Sequence, residues 1–268
     1  PMSVQTLYTA ATGMDAMQTK LDVIANNLAN INTTAFKKDR ANFEDLLYRN
    51  DVYPGTLDPN QLPAPTGTQV GLGTRVQSTQ KDFRQGAIQD TGRELDLAIE
   101  GNGFLQVLDP LTQTTMYTRS GNLDINADGT LVIGSAQTGR PLEPPITIPQ
   151  NTSSVQITAN GQVLTRQPGE LQFTQIGQLQ LAQFINPDGL AKVGENLYQQ
   201  TDASSTAIPS DPGANGLGTV RQRALEASNV EPVQELIDLI TTQRGFELNS
   251  QAVQAGDQLM QLISNLRR

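Results

Sequence analysis

Four small clusters in this 268-residue chain have residue types and spacings that could carry chemistry, and each also has a plainer reading. Asp124-Ile-Asn126-Ala-Asp128-Gly129 follows the first half of a calcium loop, where alternate side-chain oxygens ring the cation. The twelfth position should be a bidentate Glu but is Ser135, and the flanks read as strands, so a polar hairpin turn is expected. Gly101-x-Gly103 follows a strand, as a dinucleotide-binding turn would, yet position 106 is Gln and no helix follows. A tight turn is expected there too. Asp96 and Glu100 share a strand face, roughly 13 Å apart at strand rise, whereas a glycosidase pair stands roughly 5–9.5 Å apart. They are expected as surface charges. Lys37, Lys38 and Arg40, with Asp39 between them, make a small basic spot expected to be a solvated face.

The absences narrow the chemistry further. There is no His and no Cys, which removes the commonest general base, the commonest metal ligand and all thiol chemistry. An enzyme would have to work with carboxylates, Lys, Tyr or Ser alone, so no catalysis, cofactor or metal is expected. A net charge of −9 without a large basic block argues against nucleic acid as a partner. No window approaches 18 apolar residues, so no membrane insertion is expected. The first residues show neither a charged n-region nor a continuous apolar run, so no Sec-type signal peptide is expected.

The elements at the two ends of the sequence must do the organising. From Leu7 the apolar positions run Leu7, Ala10, Met14, Met17, Leu21, Ile24, Leu28 and Ile31, steps of three and four that mark a heptad seam. Such a helix, roughly 40 Å long at 1.5 Å per residue, cannot bury its stripe alone. A second helix is expected from Val233 to Leu266, after a Ser228/Glu231 cap signal with Pro232 in its first turn. Its stripe reads Val233, Ile237 and Ile240, then shifts register to Phe246, Val253, Met260 and Ile263, with Gly245, Ala252 and Gly256 small enough for close approach. Both ends are expected to pair with each other, and with neighbouring copies. Asn26, Asn27, Asn30 and Asn32 should end the first helix. Gln243 and Arg244 sit at the register shift, with Arg244 placed for an i,i+3 pair with Glu247.

Between the helices the composition changes twice. Residues 36–48 carry a short apolar patch, read as a second helix or a strand. From Asp51 to Gly73 prolines alternate with glycines: Pro54, Gly55, Pro59, Pro63, Pro65, Gly67. Prolines at that density cannot sit in a helix or central strand, so this whole stretch, Tyr53 included, is expected as an extended, semi-stiff segment. Residues 95–220 read as short strands separated by Asp128-Gly129, Asn160-Gly161 and Asp188-Gly189 turns, a β-sandwich or partly open barrel. The fold class is therefore α+β and multidomain: long N- and C-terminal α-helices pairing as a coiled coil, with an inserted mainly-β domain. The expected division is 1–45 with 225–268 as the helical domain, 46–94 as linker and insert, and 95–220 as the β domain, including a linker at 202–218.

Several stretches together resemble a known family, the bacterial flagellar rod and hook proteins. They are Asp22-Val-Ile-Ala-Asn-Asn-Leu-Ala-Asn-Ile-Asn-Thr33 with Ala35-Phe-Lys37, Asp96-Leu-Ala-Ile-Glu-Gly-Asn-Gly-Phe104, Tyr117-Thr-Arg-Ser-Gly121, Gly194-Glu-Asn-Leu-Tyr198, and Leu225-Glu-Ala-Ser-Asn-Val230 through Gln243-Arg244 to Asn249-Ser250. The resemblance covers nearly the whole chain, and the Pro/Gly insert is most like that of distal-rod members. It implies no catalysis. It implies export through the flagellar type III apparatus without a cleaved signal, then polymerisation into a helical tube, the rod spanning the periplasm. Partners implied are further copies, other rod and hook proteins, and surrounding ring bushing proteins. The helix seam would form the axial layer, and the insert would stiffen the rod. A proximal-rod or hook subunit is the near alternative; a carbohydrate-active β-sandwich enzyme using Asp96 and Glu100 is the distant one.

Overall fold

The computed structural model describes residues 2–53, 55, 66–134 and 139–266. It has two long helices at the ends and a large mainly-β region between them, divided into two compact units. One, the helical unit, comprises Pro1–Ala29, Asp39–Lys81 and Glu231–Arg268; the other, the β unit, comprises Asn30–Lys38 and Asp82–Val230.

The helical unit contains α1 (Met2–Ala29), β1 (Asp39–Asp45), β2 (Tyr48–Val52), β3 (Thr68–Gly71), β4 (Thr74–Lys81) and, from the far end of the sequence, α2 (Pro232–Leu266). The helix start falls at Pro232, whose missing N–H would be unpaired there anyway. Glu231, not Ser228, therefore holds the cap position, and its carbonyl accepts from the Glu235 N–H. The helices run antiparallel: Leu7 lies against Gly256, Gly13 against Asn249, Met17 against Gly245, and Asn27 against Glu235. The apolar patch at 36–48 is strand over Asp39–Asp45 and again from Tyr48, not helix, with β1 paired to β4 and β2 to β3, each pair carrying a bulge. Gly73, at φ +117°, turns the chain directly beside Thr12, where a side chain would collide. The stretch from Asp51 to Gly73 is thus partly sheet; Pro54, Pro59, Pro63 and Pro65 lie outside the described residues.

The β unit contains β5 (Ile88–Asp90), β6 (Leu97–Glu100), β7 (Phe104–Leu108), β8 (Thr115–Thr118), β9 (Leu123–Ile125), β10 (Leu131–Gly134), β11 (Gly139–Pro141) and β12 (Ser154–Ile157). It continues with β13 (Gln162–Arg166), β14 (Thr174–Gln178), β15 (Leu181–Gln183), β16 (Ala191–Gly194), β17 (Leu197–Gln199), β18 (Ile208–Ser210), β19 (Thr219–Gln222) and β20 (Ala224–Glu226). Every pairing is antiparallel, and the largest sheet has the order β16-β17-β8-β7-β15-β18. Within Ile146–Ile148, Thr147 makes an isolated bridge to Thr130.

Its core sits on both faces of β7. Leu105 and Val107 join Leu97, Ile99, Leu123, Leu131, Val163 and Leu181 in the main aliphatic cluster. Phe104 points the other way, into edge-to-face contact with Phe83, Phe184 and Tyr198, while Tyr117 meets Phe184. Five of the chain's twelve aromatics meet in this one cluster. Along β6 the side of the strand expected to carry surface charge is covered too. Ala98 and Asp96 are buried as well. Asp96 is no surface charge: it accepts from Thr91 and lies 3.6 Å from Arg93. The calcium-like stretch is the turn between β9 and β10, with Gly129 at φ +82° and its N–H donating to the Asn126 carbonyl; Ser135 lies outside the described residues.

Candidate assembly surface

In the helical unit, α1 turns its predicted stripe inward. Ala10 and Ile24 are buried, and Leu7, Met14, Met17, Leu21 and Leu28 are half-buried; Ile31 lies past the helix end. The inward face of α2 is Glu235, Thr242, Gly245, Phe246, Asn249, Val253 and Gly256, with the glycines at 245 and 256 in close approach as expected and Glu235, Thr242 and Asn249 unforeseen. Only Phe246 and Val253 come from the predicted stripe. Val233, Ile237 and Ile240 sit two positions away, about 200° around the helix, and are 72%, 51% and 56% exposed. Met260 and Ile263 are exposed too. The physical reason is steric. Glycines at 245 and 256 admit Met17 and Leu7, and Asn249 fits over Gly13, so small residues win the close face.

Asn27 shows how a polar residue earns burial there. Its side-chain oxygen accepts from the Asp39 N–H at 2.8 Å, and its amide donates to the Asp39 carbonyl at 2.9 Å and to Glu235 at 3.3 Å. Within the Asn cluster, Asn27 is thus a clamp on β1 and α2, while Asn26 and Asn32 are exposed. Asn30 accepts the Thr33 N–H in the turn that follows the helix. Arg244 is exposed, 3.0 Å from Glu247, and Gln243 is exposed beside it. Tyr53 is largely exposed and Gly55 has φ +85°. The result is a helix pair whose outer apolar stripe, Val233-Leu236-Ile237-Ile240, has a heptad's i, i+3, i+4, i+7 spacing and no cover within the described chain.

In the β unit, stretches far apart in sequence converge on one buried junction. Lys37 is fully buried, which corrects its reading as part of a solvated basic spot. Its ammonium lies 2.5 Å from Glu226 and donates to the Arg84 carbonyl at 2.7 Å. The other Glu226 oxygen receives Arg119 at 2.8 Å, and the Gly86 N–H adds a third donor at 2.9 Å. Arg119 in turn binds the carbonyls of Ile99, Gly101 and Gly103, fixing the glycine turn between β6 and β7. Gly121, two residues on, sits where any side chain would strike the Leu97 carbonyl. Asn196 donates to the Thr34 carbonyl while its own carbonyl accepts Thr118. Asn229 accepts the Lys38 N–H and donates to the carbonyls of Asp82 and Arg84.

The electrostatics follow from burial. Desolvation pushes the Lys37 ammonium below its ordinary range against the pull of Glu226. Desolvation also works to raise the Glu226 carboxyl, but the charges of Arg119 and Lys37 and the hydrogen bonds from Lys37 and Gly86 outweigh it. The carboxyl is held below its ordinary value. A run of local basic residues could not reveal this, because the counter-charge lies 189 residues away. Nothing here resembles a hydrolytic pair: Glu100 is 3.4 Å from Arg221, and Asp96 is sealed in the core.

Comparison with known proteins matches the same regions. Residues 7–37 fit the family described as "Flagella basal body rod protein". Residues 98–165 fit "Flagellar hook protein FlgE/F/G D1 domain", and residues 221–266 fit "Flagellar basal body rod FlgEFG protein C-terminal". Each matched stretch supplies one member of the Lys37–Arg119–Glu226 set. Along its length the chain is 42% identical to the flagellar basal-body rod protein FlgG of Caulobacter vibrioides over 265 residues, covering 98% of this chain and 100% of the relative. It is 40% identical to that of Borreliella burgdorferi over 267 residues, 99% of each. The Bacillus subtilis protein of the same name is 36% identical over 268 residues, 99% of this chain and 100% of the relative. With that likeness carried from end to end, the chain belongs to the flagellar basal-body rod proteins, a structural family and not one of enzymes.

Proposed function

We propose that this chain is the repeating subunit of the distal part of the flagellar rod, polymerising into a stiff tube that transmits motor torque to the hook. The chain is a structural component of the basal-body rod. The observation that supports polymerisation is the outer stripe of α2. Four large aliphatic side chains at helical spacing stay about half-exposed or more when the chain is alone, and covering what remains of each would gain roughly half to two-thirds of the 1.5–3 kcal/mol that full burial gives. Coiled-coil layering of further copies against that stripe would supply the cover. A contact that joins two different surfaces without closing a ring would extend as an open helix. Residues Tyr53 to Pro65 would stiffen the polymer by contacts between copies. Other rod and hook proteins, ring bushings and the type III export apparatus are the partners this reading assigns.

Electron microscopy of the purified chain after prolonged incubation, alongside Ile237→Asp/Ile240→Asp, tests it. Straight tubes from the unmodified chain and none from the variant are expected. Tubes of normal length from the variant would remove the stripe from the assembly.

A further inference from the structure

The buried junction of the β unit carries two cations and one anion. Lys37 and Arg119 come from Asn30–Lys38 and from the segment just after β8; Glu226, the anion they share, comes from the last residues of the unit. The side chains of Lys37 and Glu226 are fully buried and that of Arg119 nearly so. Backbone bonds tie the Glu226 segment to Asn30–Lys38 and to the stretch around Gly86 and Ala87. Ala35 donates to the Glu226 carbonyl at 2.7 Å, Ala227 to the Ala87 carbonyl at 2.8 Å, and Asn229 to the Phe36 carbonyl at 3.3 Å. Gly86 packs so tightly against the Ala227 carbonyl that no side chain would fit.

Without Glu226, closing the β6–β7–β8 layer would bury two cations near each other without the carboxylate that both of them bond. That is the costliest arrangement a core can hold. We propose that Glu226 is a completion latch: the core cannot close around Lys37 and Arg119 until Ala224–Val230 has docked, so the β unit folds only when the end of its own sequence is in place. The inference rests on contacts inside one chain and stands whether or not the polymer reading does. It gives the subunit an all-or-none β unit, with no stable partly folded form exposing the β19 and β20 partners of β6 and β5.

The test is refolding of the full-length chain from denaturant, with pulsed hydrogen exchange read residue by residue. Amides of β6, β7 and β8 are expected to gain protection in the same kinetic phase as those of Ala35, Gly86 and Ala227. Protection of β6–β8 in an earlier phase overturns the proposal, and this arm needs no variant. In Glu226→Gln, refolding is expected to slow at least tenfold. A variant that refolds at the unmodified rate and merely unfolds faster shows Glu226 to be an ordinary stabilising residue and also overturns it.

Discussion

Leu7 on α1 rests on the bare backbone of Gly256 on α2, so closely that a methyl group built there would stand 2.8 Å from a Leu7 terminal carbon. The gap is filled by a flexible tip, not by backbone. Gly256→Ala should therefore be nearly neutral, the strain on Leu7 offset by the roughly 1 kcal/mol of helix propensity that Ala gains over Gly. Gly256→Leu should cost about 1–3 kcal/mol by overpacking, and adding Leu7→Ala should restore most of it. Thermal unfolding of the three variants checks the exchange. If Gly256→Leu alone matches the parent, the helices do not meet at that point.

Ile237 and Ile240 face away from α1, whereas Leu21 is half-buried on the face turned toward α2. Ile237→Asp and Ile240→Asp should leave the isolated chain within about 0.5 kcal/mol of the parent, as exposed sites do, yet abolish assembly. Leu21→Asp should both destabilise the helical unit and block assembly, because it places a charge in a packed seam. Urea titration together with electron microscopy separates the two behaviours.

Glu226 sets the acid limit of the β unit. Its carboxyl is held below the ordinary 4.5, so the unfolded chain binds the proton first. The stabilisation is complete above pH 4.5 and is lost as pH falls through the depressed folded value. Lys37, pushed down by burial, acts in the alkaline range with the same sign, since there too the unfolded chain holds more protons. Urea midpoints should therefore drop steeply on the acid side of pH 4.5 in the parent. Glu226→Gln should be less stable at pH 7 by about 3–5 kcal/mol, with a flatter acid limb.

Asn27→Ala removes the paired hydrogen bonds to Asp39 and the contact to Glu235, leaving buried groups unsatisfied. A loss of about 1–3 kcal/mol is expected, confined to the helical unit. Hydrogen exchange should show β1 and the last turn of α1 losing protection while β7 does not. Equal loss in both units would contradict that confinement.

Deleting residues 51–66 should leave the β unit folded, since none of its segments is touched. It also removes Asp51 and Val52 from β2, and with them the ion pair of Asp51 with Arg49. Polymers that bend, or stay short, are the expected result by electron microscopy; straight rods of parental length would count against the insert as a stiffener.

Periodicity made both helices and most β-unit strands legible, because a stripe of Leu, Met and Ile or a run such as Phe104–Leu108 declares its own geometry. The same signal misread α2. Beside Phe246 and Val253 its packed face is made of Gly, Thr, Asn and Glu, which no hydrophobic pattern flags, while Val233, Ile237 and Ile240 of the apolar stripe are left in water. The strands at Tyr48–Val52 and Thr68–Gly71 were hidden by polar sequence and flanking prolines. Lys37 was illegible for a different reason: a charge looks solvated in any local window when its partner lies at the other end of the unit. The stretches that carried the family likeness marked that neighbourhood without saying why those residue types were needed.

Because α1 and α2 are antiparallel, Ala29 and Pro232 stand side by side, Asn27 and Glu235 touching just beyond them. Tension on the helix pair through the rest of the polypeptide therefore arrives at one end and in one direction for both helices. Such a pull drags the pair along as one body and gives neither helix cause to slip a turn past the other.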